Sequence, residues 1–186
     1  MEVKISKGRA TFDREATKFG YIKGEAKWCK FLKEDDYGNY SVNIYGDEVE
    51  DLIVELEAMR DEAVAAVEAL GKKAIPADVY KVDDDGNKFI GFKLKSTDYE
   101  GKPTSITVYD VGGTKVSDWD KEVGNGSKIK IKYRVAPYYM ASTKMVGLSF
   151  RWYAMQVIDL VEYNSSDSGF GDESGDAPFD TDGEDF

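Results

Sequence analysis

Apolar positions along this chain keep two different rhythms. In residues 38–45, Tyr40, Val42 and Ile44 fall at period two, which predicts a half-buried strand. From Asp47 onward the spacing changes to threes, fours and sevens at Val49, Leu52, Ile53, Leu56, Ala63, Val67 and Leu70. That predicts one amphipathic helix of about six turns, closed by Gly71, with its acids on the outward face. Ahead of both, residues 9–33 mix Phe12, Phe19, Tyr21, Trp28 and Phe31 with alternating charge, predicting one or two strands with a bend near Gly20 or Gly24. Beyond a loop containing Pro76, residues 88–97, 104–111, 127–138 and 145–162 are rich in β-formers. Gly112-Gly113 and Gly124-Asn125-Gly126 punctuate them. The order of strands, one helix, then more strands predicts a mainly β fold, a small barrel with the helix inserted between strands.

The run Asp83-Asp84-Asp85-Gly86-Asn87 reads as a turn. A calcium loop aligned on Asp85-Gly86 would need acids where Lys81 and Phe92 stand. Gly112-Gly113-Thr114-Lys115 does not satisfy the spacing of a phosphate-binding loop. From residue 164 the chain holds no cation and no aliphatic residue larger than Ala177, so it cannot bury enough surface to offset its ordering entropy. Two parts are expected: a folded domain over 1–163 and a disordered acidic tail over 164–186.

Composition narrows the chemistry. Histidine is absent, which removes Ser-His-Asp and Cys-His activation and the HExxH zinc site. Cys29 stands alone, which excludes an internal disulfide framework and fits a reducing cytoplasm. No apolar run is long enough to span a membrane, and MEVKISKGRA lacks the apolar segment of a secretory signal.

The net charge of −11 conceals its layout. Residues 1–46 hold nine basic and seven acidic residues, giving +2, and residues 71–163 hold fifteen and twelve, giving +3. The helix segment 47–70 has one basic and nine acidic residues, giving −8, and the tail has eight acids and no base, also −8. A mildly basic body is thus masked by one helix and one tail, and a polyanionic partner stays open.

Within that body, Lys128, Lys130, Lys132 and Arg134 alternate with Ile129, Ile131, Tyr133 and Val135, so a strand here shows a basic row on one face. Lys93 and Lys95 repeat the pattern against Phe92 and Leu94. Tyr138 and Tyr139 follow the row, and Arg151-Trp152-Tyr153 lies on the last strand. Cations that track phosphates beside aromatics that stack bases are what single-strand binding requires. An ordinary solvated strand face protected by lysines has the same pattern. The tail is open in the same way: a solubilising extension, or a tethered polyanion occupying the basic face until DNA displaces it.

At these residues the chain resembles the single-stranded DNA-binding proteins of tailed bacteriophages, the podophage type with an OB-fold and a Phe-terminated acidic tail. The resemblance is carried by Gly126-Ser127-Lys128 through Pro137-Tyr138, by Phe92-Lys93-Leu94-Lys95, by Tyr40-Ser41-Val42-Asn43-Ile44 leading into a helix, and by Asp182-Gly183-Glu184-Asp185-Phe186. The tail is shorter, and the loop after the helix more reduced, than in that family. The resemblance implies an OB-fold barrel and a non-enzymatic protein of phage DNA replication and recombination, working in the cytoplasm of the infected host without cofactor or metal. Lys93, Lys95 and Tyr138 would lie in the DNA groove. The tail, with Asp182, Glu184, Asp185 and Phe186, would contact the phage DNA polymerase and helicase-primase, and pairing into a homodimer through the tail is compatible. The expected DNA-contacting set is Lys93, Lys95, Lys128, Lys130, Lys132, Arg134, Tyr138, Tyr139, Arg151, Trp152 and Trp28.

Two other classes compete. One is an adaptor whose barrel is a scaffold and whose tail carries the function. The other is a metal-dependent nuclease built on Asp118, Asp120 and Glu122, which otherwise read as a solvated turn around Trp119.

Overall fold

The computed structural model describes residues 1–6 and 9–162; the expected tail over 164–186 lies outside them. In chain order the strands are β1 (Val3–Ser6), β2 (Arg9–Phe12), β3 (Lys18–Lys30), β4 (Asn39–Tyr45), β5 (Ile75–Pro76), β6 (Lys81–Val82), β7 (Lys88–Lys95), β8 (Thr107–Tyr109), β9 (Lys115–Val116), β10 (Ser127–Met140) and β11 (Met145–Asp159). The helix α1 (Asp47–Glu68) lies between β4 and β5.

Five of these strands close on themselves. β3 pairs with β4, β4 with β7, β7 with β11, β11 with β10, and β10 returns to β3. The β7–β11 pairing alone is parallel within that ring. The result is the expected OB-like barrel, which leaves no open edge among its five strands. Alternation along the strands fills it: Ile129, Ile131, Val135, Val42, Ile44, Ile90, Phe92, Trp152 and Met155 are all buried inside.

Helix α1 follows β4 directly and covers that end of the barrel. Val49, Ile53, Leu56 and Met59 join the barrel core, while Ala63 and Val67 form a second cluster with Val3 and Val146. Burying Ile53 or Leu56 contributes roughly 1.5–3 kcal/mol each. Asp47, Glu48 and Glu50 sit in the first turn, where the helix dipole favours negative charge. Met59 continues the predicted stripe, whereas Leu70 lies beyond the helix and is exposed.

The predicted bend near Gly20 or Gly24 is absent, and β3 runs through both positions as one strand of 13 residues. Those glycines serve close approach instead. A Cβ at Gly20 would lie 2.5 Å from the Tyr133 hydroxyl, and one at Gly24 would strike the Tyr45 carbonyl oxygen. The irregularity falls later, at a register shift between Lys27 and Lys30 where Trp28 adopts φ +54°. The Asp83–Asn87 segment is the expected turn, with the Asp83 carboxylate accepting from the Asp85 and Asn87 backbone N–H groups.

Candidate nucleic-acid interface

The basic row depends on the register of β10, since a slip of one residue would turn every lysine inward. Ser127, buried at the head of the strand, pins that register. Its hydroxyl donates to the Gly124 carbonyl at 2.8 Å and accepts from the Val161 N–H at 2.9 Å. Lys128, Lys130 and Lys132 are therefore exposed and Arg134 is half-buried, with Ile129, Ile131, Tyr133 and Val135 in the core.

Cross-strand pairing gathers further cations beside that row. Arg134 stands opposite Arg151 on β11, and Arg151 stands opposite Lys93 on β7. Lys93 in turn faces Ser41, and Lys95 faces Asn39, both on β4. Lys93, Lys95, Arg134 and Arg151, with Asn39, Ser149 and Phe150, line one cleft of about 290 Å³ on the barrel's outer surface. None of these four cations forms an ion pair among the described residues. Like charges facing each other across strands are destabilising, and they leave a positive potential concentrated over this cleft. The loop leading into β4 is fastened beside it. The Asp35 carboxyl lies below its ordinary pKa, mainly because the Asn39 backbone N–H bonds to it, with the Tyr37 N–H and the Lys93 charge adding.

On the other flank of β10, Lys132 stands opposite Tyr21 of β3, and Arg134 opposite Phe19. The ammonium groups of Lys130 and Lys132 lie 5.4 and 5.9 Å from the Tyr21 ring centre. Tyr21 and Phe19 are 63 % and 65 % exposed, and Phe19 lies 6.4 Å from the Tyr153 ring. Lys128, at the far end of the row, has Glu25 and Asp159 as its registered neighbours.

Four expected contacts are placed differently from the cleft. Trp152 is fully buried, and its indole N–H donates to the Ala154 carbonyl at 3.0 Å, so no ring face is open to a base. Arg151 and Trp152 are neighbours in one strand and must face opposite sides. The same rule separates Tyr138 from Tyr139. Tyr139 packs against the second cluster beneath α1 and donates to the Lys73 carbonyl at 3.3 Å, away from the cations. Tyr138 shares the outward face of β10 but lies over Gly147, where a Cβ would come 2.6 Å from its hydroxyl. Only part of its ring is free. Trp28 is 68 % exposed, yet it borders a separate cavity with Lys30, Lys33, Glu122 and Asn125, and the Asn125 side-chain oxygen accepts from its backbone N–H at 2.8 Å.

Sequence reasoning missed Phe19 and Tyr21 as surface groups. The signal was present: Gly20, Ile22, Gly24 and Ala26 fill the inward positions of β3, which leaves Phe19 and Tyr21 on the polar side with Lys23 and Glu25. Asp118, Asp120 and Glu122 do not converge, and no group that could hold a metal occurs among the described residues. Among those residues no helix is long and apolar enough to cross a membrane.

The fold as a whole is similar to gp2.5, a single-stranded DNA binding protein encoded by bacteriophage T7, with a TM-score of 0.65 and 21 % identity over 91 % of this chain and 99 % of that one. A single-stranded DNA-binding protein from bacteriophage Enc34 aligns at a TM-score of 0.49 and 11 % identity, over 90 % of this chain and 96 % of that one. No family model and no curated protein matches the chain. The likeness to the T7 protein establishes a shared fold.

Proposed function

We propose that this chain is a non-enzymatic, sequence-independent single-stranded DNA-binding protein acting in phage DNA replication and recombination. The observation that carries the reading is the convergence of Lys93, Lys95, Arg134 and Arg151 on one cleft, beside the Lys130–Lys132 row, on a barrel shared with a phage single-strand binder. Phosphates track those cations, and the exposed part of Tyr138 supports a base. Cations on phosphates and a ring face under a base do not depend on which base is bound, so binding of this kind is tolerant of sequence.

The tail completes the reading. With eight acids and no base over residues 164–186, it competes for the cleft as a tethered polyanion. DNA releases it, and Phe186 with its neighbouring acids then recruits the phage polymerase and helicase-primase. The test is fluorescence anisotropy of labelled oligo-dT with the full chain and with a chain ending at residue 163. Tighter binding by the shortened chain, converging with the full chain as salt rises, supports competition. Equal affinity at low salt removes the tail from the cleft.

A further inference from the structure

A second concavity straddles β10 further along the basic row, between Tyr21 of β3 and Ala154 and Gln156 of β11. It has a volume of about 270 Å³ and is bordered by Tyr21, Tyr109, Lys130, Lys132 and Gln156, with Ala154 at its base. Register explains the gap. Lys132 faces Tyr21 on one side and Ala154 on the other, and Gln156 pairs with Tyr109 of β8, so a small residue sits between two aromatic positions. The volume falls just short of the range for drug-sized ligands, which suits one planar ring rather than an extended molecule.

The chemistry around the gap is that of a nucleotide. Tyr21 supplies an exposed ring, and the ammonium groups of Lys130 and Lys132 beside it are cations that phosphates can pair with. The Gln156 amide nitrogen donates to the Val111 carbonyl at 3.0 Å, which leaves its amide oxygen as an acceptor. Lys130 and Lys132 belong to the same strand as Arg134, so a chain of phosphates leaving the cleft meets them next.

We infer that the Tyr21–Tyr109 pocket receives a nucleobase of the bound strand, with the flanking phosphates on Lys130 and Lys132. The inference rests on the single-strand-binding reading and extends it, because it routes the DNA over β10 rather than ending it in the cleft. Tyr21 then acts as a base-stacking residue on β3, whereas Lys93 and Lys95 belong to β7.

The experiment titrates the full-length chain, wild type and Tyr21→Ala, with labelled oligo-dT of about 4 and about 16 nucleotides, the span of site sizes for one OB fold. A third probe is the longer strand carrying one abasic position, moved along it in steps. For the wild type, one abasic register weakens binding. In Tyr21→Ala the loss relative to wild type is larger on the long strand than on the short one, about five- to 150-fold on the former, as expected for one stacked base. The variant is also indifferent to the abasic position. Tyr21→Phe, which keeps the ring, binds as the wild type does. Tyr21→Ala binding the long strand as tightly as wild type, or losing equally on both lengths, overturns the pocket while leaving the cleft standing. Failure of the wild type to bind either strand overturns the underlying reading, and the pocket falls with it.

Discussion

Lys93 and Arg151 are the registered pair through which β7 meets β11, so the seam that closes the barrel carries two cations side by side. Opposed like charges cost stability in a sheet. Neutralising one should therefore leave the fold intact and weaken only polyanion binding. For Arg151→Gln the expected result is unfolding in urea at an unchanged or slightly higher midpoint. The salt dependence of oligo-dT binding should become shallower by about 0.7, the change for one phosphate contact on a single strand. An unchanged slope would take Arg151 off the DNA.

Trp152 belongs to the barrel's interior, where it is fully buried. Trp152→Ala should cost roughly 3–5 kcal/mol of stability in denaturant unfolding. Affinity of the remaining folded protein for oligo-dT should be unaltered. A variant of wild-type stability with lost affinity would contradict that placement.

Trp28 holds φ +54° in the register shift of β3, with its backbone N–H donating to the Asn125 side-chain oxygen. A non-glycine residue in that conformation is strained by roughly 1–2 kcal/mol. Trp28→Gly should therefore be as stable as the wild type or more so, and Asn125→Ala should lose about 1 kcal/mol with its hydrogen bond. Thermal melts of the two variants check this; a strongly destabilised Trp28→Gly would show that the ring packs more than its exposure implies.

Burial, with the Glu122 charge as a lesser cause, pushes the Cys29 thiol up to about 12. At pH 8 it is therefore protonated as well as shielded. Iodoacetamide should leave the native chain unlabelled and modify it rapidly in denaturant. Prompt alkylation of the folded chain would mean that the cavity beside Trp28 opens.

Most of the barrel was legible in the sequence, because period two is enforced wherever one strand face is buried. Ile129, Ile131 and Val135 mark β10, and the lysines between them had to face outward. The helix was legible for the same reason at a different period. Adjacent pairs were not: Arg151-Trp152 and Tyr138-Tyr139 look like single aromatic-basic sites in a string of letters, yet neighbours in a strand point apart. The cleft was legible only in part. Lys93, Arg134 and Arg151 are brought together by pairing across three strands, and register between distant segments is not written in any local pattern. Phe19 and Tyr21 were visible as aromatics, but their exposure follows from the glycines opposite them, which exist to admit Tyr133 and the Tyr45 carbonyl.

Single-stranded DNA is proposed to bind in the four-cation cleft. The most direct test is the anisotropy of labelled oligo-dT titrated with the full chain and with a Lys93→Gln/Arg134→Gln variant, at low and moderate salt. Wild-type binding should be tight and fall linearly with salt on logarithmic axes, and the variant should be both weaker and less salt-dependent. Equal binding by the two proteins, or no binding by either at low salt, would contradict the proposal.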